Sequence, residues 1–234
     1  MILEMRDVHA FYGTSHVLFG VSLDVSPGET VCLMGRNGAG KSTTFRSIMG
    51  LTPPRSGSIR FQGEEIQGKK PHRLARLGIG YVPEDRQIFP NLTVRENLEI
   101  GRASGRKVAG GWDVERVYDL FPVLRKYDDK PGGQLSGGEQ QMLTIARTLM
   151  GNPALILLDE PTEGLAPVIV LALKEMILRL RGMGTTILLS EQNVKFATKV
   201  SDRVFIIDHG LIRYRNDVAG FLRDESVQKK YLAV

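Results

Sequence analysis

The sequence predicts an α/β fold: a parallel sheet wound with helices, with an antiparallel β subdomain near the N-terminus and an inserted helical subdomain. Three observations predict it. ETVCLMG (29–35), ALILLDE (154–160) and TTILLSEQ (185–192) carry the unbroken apolar runs VCLM, ALILL and ILL, so both faces of these strands must be covered. Helical patterns stand between such runs, as crossover connections in a parallel sheet require. The first 30 or so residues alternate instead, which suits antiparallel strands packed on one face.

In chain order, ILEMRDVHAFY and HVLFGVSLDVS are the alternating pair, ending in the turn Pro27-Gly28-Glu29. ETVCLMG leads into GRNGAGKSTTFRSIMGL (35–51), a glycine loop opening a helix, with Gly50 near its C-terminal cap. SGSIRFQGEEI (56–66) reads as a hairpin, and PHRLARLG (71–78) as a short helix feeding the strand IGYVP. From about residue 85 to about 150 the pattern is mostly helical. It is broken by GRASGRKVAGGW (101–112), where Trp112 reads as a packing anchor, and by PGGQLSGGE (131–139). ALILLDE is the next strand, VIVLALKEMILRLRGMG (168–184) an amphipathic helix, and TTILLSEQ another strand. NVKFATKVSD then reads as a helix, RVFIIDHGLIRY as a strand pair, and DESVQKKYLAV (224–234) as a short terminal helix. The expected organisation is one domain over 1–234. Its α/β core with the β subdomain comes from about 1–84 and 151–234, and its helical subdomain from about 85–150.

Composition excludes several classes. A chain of 234 residues can bury a sizeable core. No apolar run reaches the roughly 20 residues of a membrane span. MILEMRDVHAFYG carries acids and has no signal-peptide core, so a cytoplasmic protein is expected. Cys32 is the single cysteine and has no partner for an internal disulfide. The net charge of +5 is spread without a block of like charges, which favours a solvated basic surface over nucleic-acid binding. His9, His16, His72 and His209 are scattered without metal-ligand spacing.

Gly35, Arg36, Asn37, Gly38, Ala39, Gly40, Lys41 and Ser42 fit G-x-x-x-x-G-K-[ST], with a strand before and Thr43 continuing a helix after. Glycines let successive backbone N–H groups face an anion, and the helix N-terminus adds partial positive charge. Lys41 is expected to bridge the β- and γ-phosphates of a nucleoside triphosphate, and the Ser42 hydroxyl to ligate Mg²⁺. Asp159, at the end of LILLDE, would hold Mg²⁺ through water, and Glu160 would act as general base on the attacking water.

LSGGEQ (135–140) places Ser136, Gly137, Gly138 and Glu139 at the start of a further helix, a second phosphate-accepting N-terminus. Taken with GRNGAGKST and LILLDEP in this order, the chain resembles an ATP-binding cassette (ABC) ATPase over essentially its full length. The resemblance implies head-to-tail dimers, with ATP held between one subunit's phosphate loop and the other's LSGGE segment. It implies that Tyr12, in FYG, stacks on adenine, although a core strand aromatic is the alternative. GLAP (164–167) falls where this family's dimer-crossing loop lies and departs from the common SALD wording.

Two positions depart from the family. Glu84, in YVPE, stands where a glutamine is usual; it either binds metal directly or swings away and serves in coupling. Gln192, in ILLSEQN, stands where many relatives carry a histidine that touches the γ-phosphate. Gln192 keeps an N–H donor but cannot become cationic. Both departures, with GYVPEDRQIFPNLTVRENL and DEPTEGLAP, resemble the second ATPase subunit of branched-chain amino-acid importers; importers of urea, short amides or aromatic acids share the wording.

Such a subunit pairs with a different ATPase as a heterodimer, although a homodimer is open to the isolated chain. It sits on the inner face of the plasma membrane under two permeases, fed by a periplasmic binding protein. Arg86 and Phe89 either face a permease or are ordinary surface and core residues. A soluble cassette acting in translation or repair is disfavoured by the single motif set and the lack of sustained heptads. A regulatory nucleotide-binding partner is disfavoured by Lys41, Ser42, Asp159 and Glu160 all being present.

Overall fold

The computed structural model describes residues 1–232. The chain opens with β1 (Leu3–Tyr12), β2 (Ser15–Val25) and β3 (Thr30–Met34), followed by α1 (Lys41–Ile48). Next come β4 (Ser56–Phe61), β5 (Glu64–Glu65), α2 (Pro71–Leu77) and β6 (Ile79–Val82). Four helices follow: α3 (Val94–Ser104), α4 (Val114–Leu120), α5 (Pro122–Arg125) and α6 (Gly137–Met150). The last part is β7 (Leu155–Asp159), α7 (Pro167–Gly182), β8 (Thr186–Glu191), α8 (Val194–Val200), β9 (Arg203–Asp208), β10 (Leu211–Asp217), α9 (Val218–Arg223) and α10 (Glu225–Leu232).

Two sheets form. A four-stranded antiparallel sheet has the order β2-β1-β4-β5, and a six-stranded sheet the order β10-β9-β3-β8-β7-β6. In the larger sheet β9, β3, β8, β7 and β6 are parallel, and only β10 runs antiparallel at one edge. The continuous apolar runs are explained by burial on both faces. Cys32, Met34, Ile156, Leu158, Ile187 and Leu189 pack with the helices on one side. Val31, Leu33, Leu155, Leu157 and Leu188 face the antiparallel sheet and α1 on the other.

Parallel strands carry ligands beyond their carboxyl ends. Register puts Met34 beside Glu191 and Asp159 beside Ser190, so Gly35, Glu160 and Gln192 leave the sheet at one edge. Helix α1 is held there by Phe45 and Ile48, both fully buried against the antiparallel sheet. Each such side chain contributes about 1.5–3 kcal/mol by burial. The 101–112 segment is less of a loop than its glycines predict, because α3 continues through Ser104. Trp112 packs on the helical core as expected, with Arg116 over its ring.

The histidines are less scattered than their spacing implies. Antiparallel pairing of β1 with β2 sets Phe11 opposite His16, and His9 Nδ1 lies 3.1 Å from His16 Nε2. Among the described residues, no three or more His, Cys, Asp and Glu side chains converge as a metal cage. Among them, too, no helix is long and apolar enough to cross a membrane.

Candidate active site

The phosphate loop wraps the edge between β3 and α1. Gly35 is required sterically, since a Cβ there would lie 2.4 Å from the Ile207 carbonyl oxygen. Gly40, directly before α1, has φ +113°, a conformation open to glycine. Lys41 is almost fully buried. Its Nζ donates to the carbonyls of Gly35 at 2.7 Å and Arg36 at 3.0 Å, and pairs with Glu160 Oε1 at 3.1 Å. Val17, Gly38, Lys41, Ser42, Thr43 and Glu160 share the wall of a cleft of about 200 Å³.

Asp159 collects three hydroxyls. Ser42 Oγ donates to Oδ1 at 3.1 Å, Ser190 Oγ to the same oxygen at 2.7 Å, and Tyr81 OH to Oδ2 at 3.1 Å. Burial raises its carboxyl above the ordinary aspartate range, and the three hydroxyls counter part of that rise. Glu84, an exposed residue, borders the same cleft as Ser42 and Asp159, a space of about 540 Å³. Partial desolvation on the cleft wall, then the nearby charges of Glu160 and Asp159, raise the Glu84 carboxyl.

These donors fit Mg²⁺. Hydroxyl and carboxylate oxygens are its preferred ligands, and it is commonly bound by one or two carboxylates plus phosphate oxygens and water. The cleft offers that set and no imidazole or thiolate.

Glu160 follows β7 with φ +44°, left-handed backbone that costs a non-glycine residue about 1–2 kcal/mol. Its surroundings over-determine the strain. Its N–H donates to Ser190 Oγ at 2.9 Å, and its carboxylate is held by Lys41 and, at 2.7 Å, by Gln192 Nε2. Gln192 Nε2 also donates to Asn37 Oδ1 at 2.6 Å. Asn37, Lys41, Glu160 and Gln192 thus form one hydrogen-bonded group at the sheet edge.

Other predicted residues lie apart from it. Tyr12 is about half exposed, and its hydroxyl accepts from Thr52 Oγ1 at 3.4 Å. Ser136 caps α6: its hydroxyl and N–H both donate to Glu139 Oε2 at 2.8 Å. Gly138 abuts Ile169 of α7, where a Cβ would lie 2.7 Å from that side chain. No hydrogen bond among the described residues joins Ser136–Glu139 to the phosphate loop of the same chain. Arg86, expected either at a permease face or at the ordinary surface, donates to the Glu163 carbonyl at 3.2 Å, and its guanidinium lies against Gly137. Phe89 remains 44% exposed beneath the Arg147 guanidinium, in a groove between α2, α3 and β6.

Sequence reasoning missed Tyr81, Ser190, Thr162 and Glu191. The strand TTILLSEQ gives no sign by itself that its polar end is buried, yet Ser190 and Glu191 of β8 are both buried. Burial pushes the Glu191 carboxyl up to about 7, despite bonds from Thr162 and Asn193 that favour its charged form. The folded state therefore keeps this proton while the unfolded chain loses it. Stability falls as pH climbs from the ordinary carboxylate range to about 7, and the full cost is present above that. Glu191→Gln, which cannot charge, is expected to melt close to the wild type at pH 5 and several degrees above it at pH 8, a gain of up to about 3 kcal/mol. Thermal unfolding at the two pH values checks this; an equal difference at both would count against a buried charge as the cause.

The ABC transporter family profile matches residues 18–163. The chain is 42% identical over 231 residues to the high-affinity branched-chain amino acid transport ATP-binding protein BraG of Pseudomonas aeruginosa, covering 99% of each. It is 35% identical to the lipopolysaccharide export system ATP-binding protein LptB of Escherichia coli, covering 98% of this chain and 96% of that one. Among solved structures, the dimeric post-hydrolysis state of the ATP-binding cassette MJ0796 bound to ADP and Pi superposes with TM-score 0.80 at 25% identity. That match covers 92% of this chain and 98% of that one.

Proposed function

Because the chain belongs to the ABC transporter family as an ATP-hydrolysing cassette, we propose that it drives an importer of branched-chain amino acids, coupling ATP binding and hydrolysis to permease movement. The observation that carries this reading is the 42% identity to the branched-chain amino acid protein across 99% of both chains. The likeness to the lipopolysaccharide export protein favours a second reading, in which the same cassette powers an exporter.

In either direction the chemistry is the same. Lys41 and the loop N–H groups bind the phosphates of ATP, and Tyr12 stacks on adenine. Ser42 and Asp159 would hold Mg²⁺, with Glu84 on the same cleft; when bound, the ion would supply positive charge to the phosphates of the nucleotide. Glu160 accepts the proton of a water whose oxygen attacks the γ-phosphorus as the bond to ADP breaks. Gln192 spends both amide hydrogens on Asn37 and Glu160 in this structure, and exchanges one of these bonds to donate to a γ-phosphate oxygen. The LSGGE segment, Ser136 to Glu139, faces the nucleotide of a second cassette, which makes the working unit a dimer. That partner is a different ATPase subunit, and the pair sits on the cytoplasmic face of the membrane beneath two permeases. Phe89 and its groove receive one of those permeases, and a periplasmic binding protein supplies the solute.

The test uses the assembled transporter. The tagged chain is purified in mild detergent with its copurifying membrane subunits and reconstituted in liposomes. ATP and Mg²⁺ are supplied on the side the cassette occupies, and labelled leucine with the binding protein on the other. ATP-dependent accumulation of leucine is expected. A complex that hydrolyses ATP but moves lipopolysaccharide and no amino acid would replace the importer reading with the exporter one.

A further inference from the structure

Glu191 takes no part in the chemistry above, yet it lies 3% exposed in the wall of the site. Its bonds reach two separate segments and the corner that follows it in the chain. Oε1 accepts from Thr162 Oγ1 at 2.7 Å, two residues beyond Glu160. Oε2 accepts from the Asn193 N–H at 3.4 Å, one residue beyond Gln192. Its carbonyl accepts from the N–H of Gly35, the first residue of the phosphate loop, at 3.4 Å. Strand pairing alone does not call for an acid here. Its neighbour in β3 is Met34, and Ile187 to Leu189 before it are apolar. A carboxylate at such a depth is costly unless it is bonded, so its presence implies a role that an apolar residue could not fill.

We propose that Glu191 is a positioning residue that ties the Glu160–Thr162 turn to the Gln192–Asn193 corner, so that Glu160 and Gln192 keep one geometry over the phosphate loop. The inference rests on the roles given above to Glu160 and Gln192. Glu160 holds a strained backbone with φ +44°, a conformation that persists only when its surroundings impose it. The grip on Thr162 is one of those constraints, and the Asn193 contact fixes the residue next to Gln192. A displacement of about 1 Å in such a pair can cost roughly 100-fold in rate, while the groups that bind phosphate are untouched.

Steady-state ATPase measurements on the full chain in its transporter complex test this. Glu191→Ala is expected to lower kcat about 10- to 100-fold with the KM for ATP within about twofold of wild type. Glu191→Gln, with the same shape and an oxygen for Thr162, is expected to recover most of kcat. Thr162→Val should show the same loss in kcat at unchanged KM, and the double variant Glu191→Ala/Thr162→Val should be no worse than the weaker single variant. A kcat within about twofold of wild type in Glu191→Ala, a Gln variant as impaired as the Ala variant, or additive losses in the double variant each overturn the proposal. Should Glu191→Ala not accumulate as folded protein, Thr162→Val carries the test alone, and full activity there overturns it. Glu160→Gln is measured alongside. Wild-type turnover in that variant means the role of Glu160 is wrong, whereas an inactive Glu160→Gln with an unimpaired Glu191→Ala removes only the present inference.

Discussion

Glu160→Gln is expected to lower ATP turnover by about 100- to 10,000-fold while leaving nucleotide binding nearly intact, the range that loss of a general base produces. The amide has the same shape and still accepts a bond from Gln192, so the geometry at the end of β7 survives. Lys41 loses its anionic partner but stays anchored on the Gly35 and Arg36 carbonyls, at 2.7 and 3.0 Å. The substitution therefore removes proton acceptance and little else. Phosphate release read beside titration with a fluorescent ATP analogue separates the two effects. Turnover that survives unchanged would assign the proton to another group; Asp159 is the nearest in kind, although three hydroxyls already occupy its oxygens.

The phosphate loop was legible in the sequence because its residues are dictated locally. Gly35 has no room for a Cβ, Gly40 needs a positive φ, and a strand and a helix flank them, so spacing alone marks the structure. The doubly covered strands were legible for a similar reason, since an apolar run of five has few other places to go. The polar end of β8 was not. Ser190 and Glu191 are buried only because β7 and β3 pair beside them, and that register is set by contacts more than 30 residues distant along the chain. Tyr81 escaped notice in the same way, its hydroxyl meeting Asp159 across 78 residues. The His9–His16 contact shows the converse, a hairpin register joining residues whose spacing carries no signal. Sequence order alone does not separate Ser136 from Lys41; the expectation that they face different nucleotides comes from the family resemblance. Only their places on separate elements, with Ser136 bonded into its own helix cap, give the two motifs different partners.

Lys41→Met is expected to abolish ATP binding and also to destabilise the fold, and adding Glu160→Gln is expected to restore the second loss but not the first. Lys41 and Glu160 are an ion pair in which both side chains are nearly solvent-free, 2% and 8% exposed. Methionine fills the space of the lysine stem, but it strands the Glu160 carboxylate away from water. Breaking a buried pair from one side costs about 3–5 kcal/mol, because the remaining charge is unpaired. Here the lower figure applies, since Gln192 still donates to Glu160 at 2.7 Å. For a chain of this size a loss of about 3 kcal/mol lowers Tm by roughly 6–12 °C. The double variant carries no buried charge at this pair, so most of that drop is expected to return, and the coupling between the sites is itself the measure of the pair. Nucleotide binding does not return, because phosphate has lost a cation that no neighbour replaces, a loss of about 1.5–3 kcal/mol for each charge-assisted bond. Thermal unfolding and nucleotide titration of both single variants and the double variant check the two halves. If Lys41→Met melts at the wild-type temperature, the Lys41–Glu160 pair does not contribute to the stability of the fold.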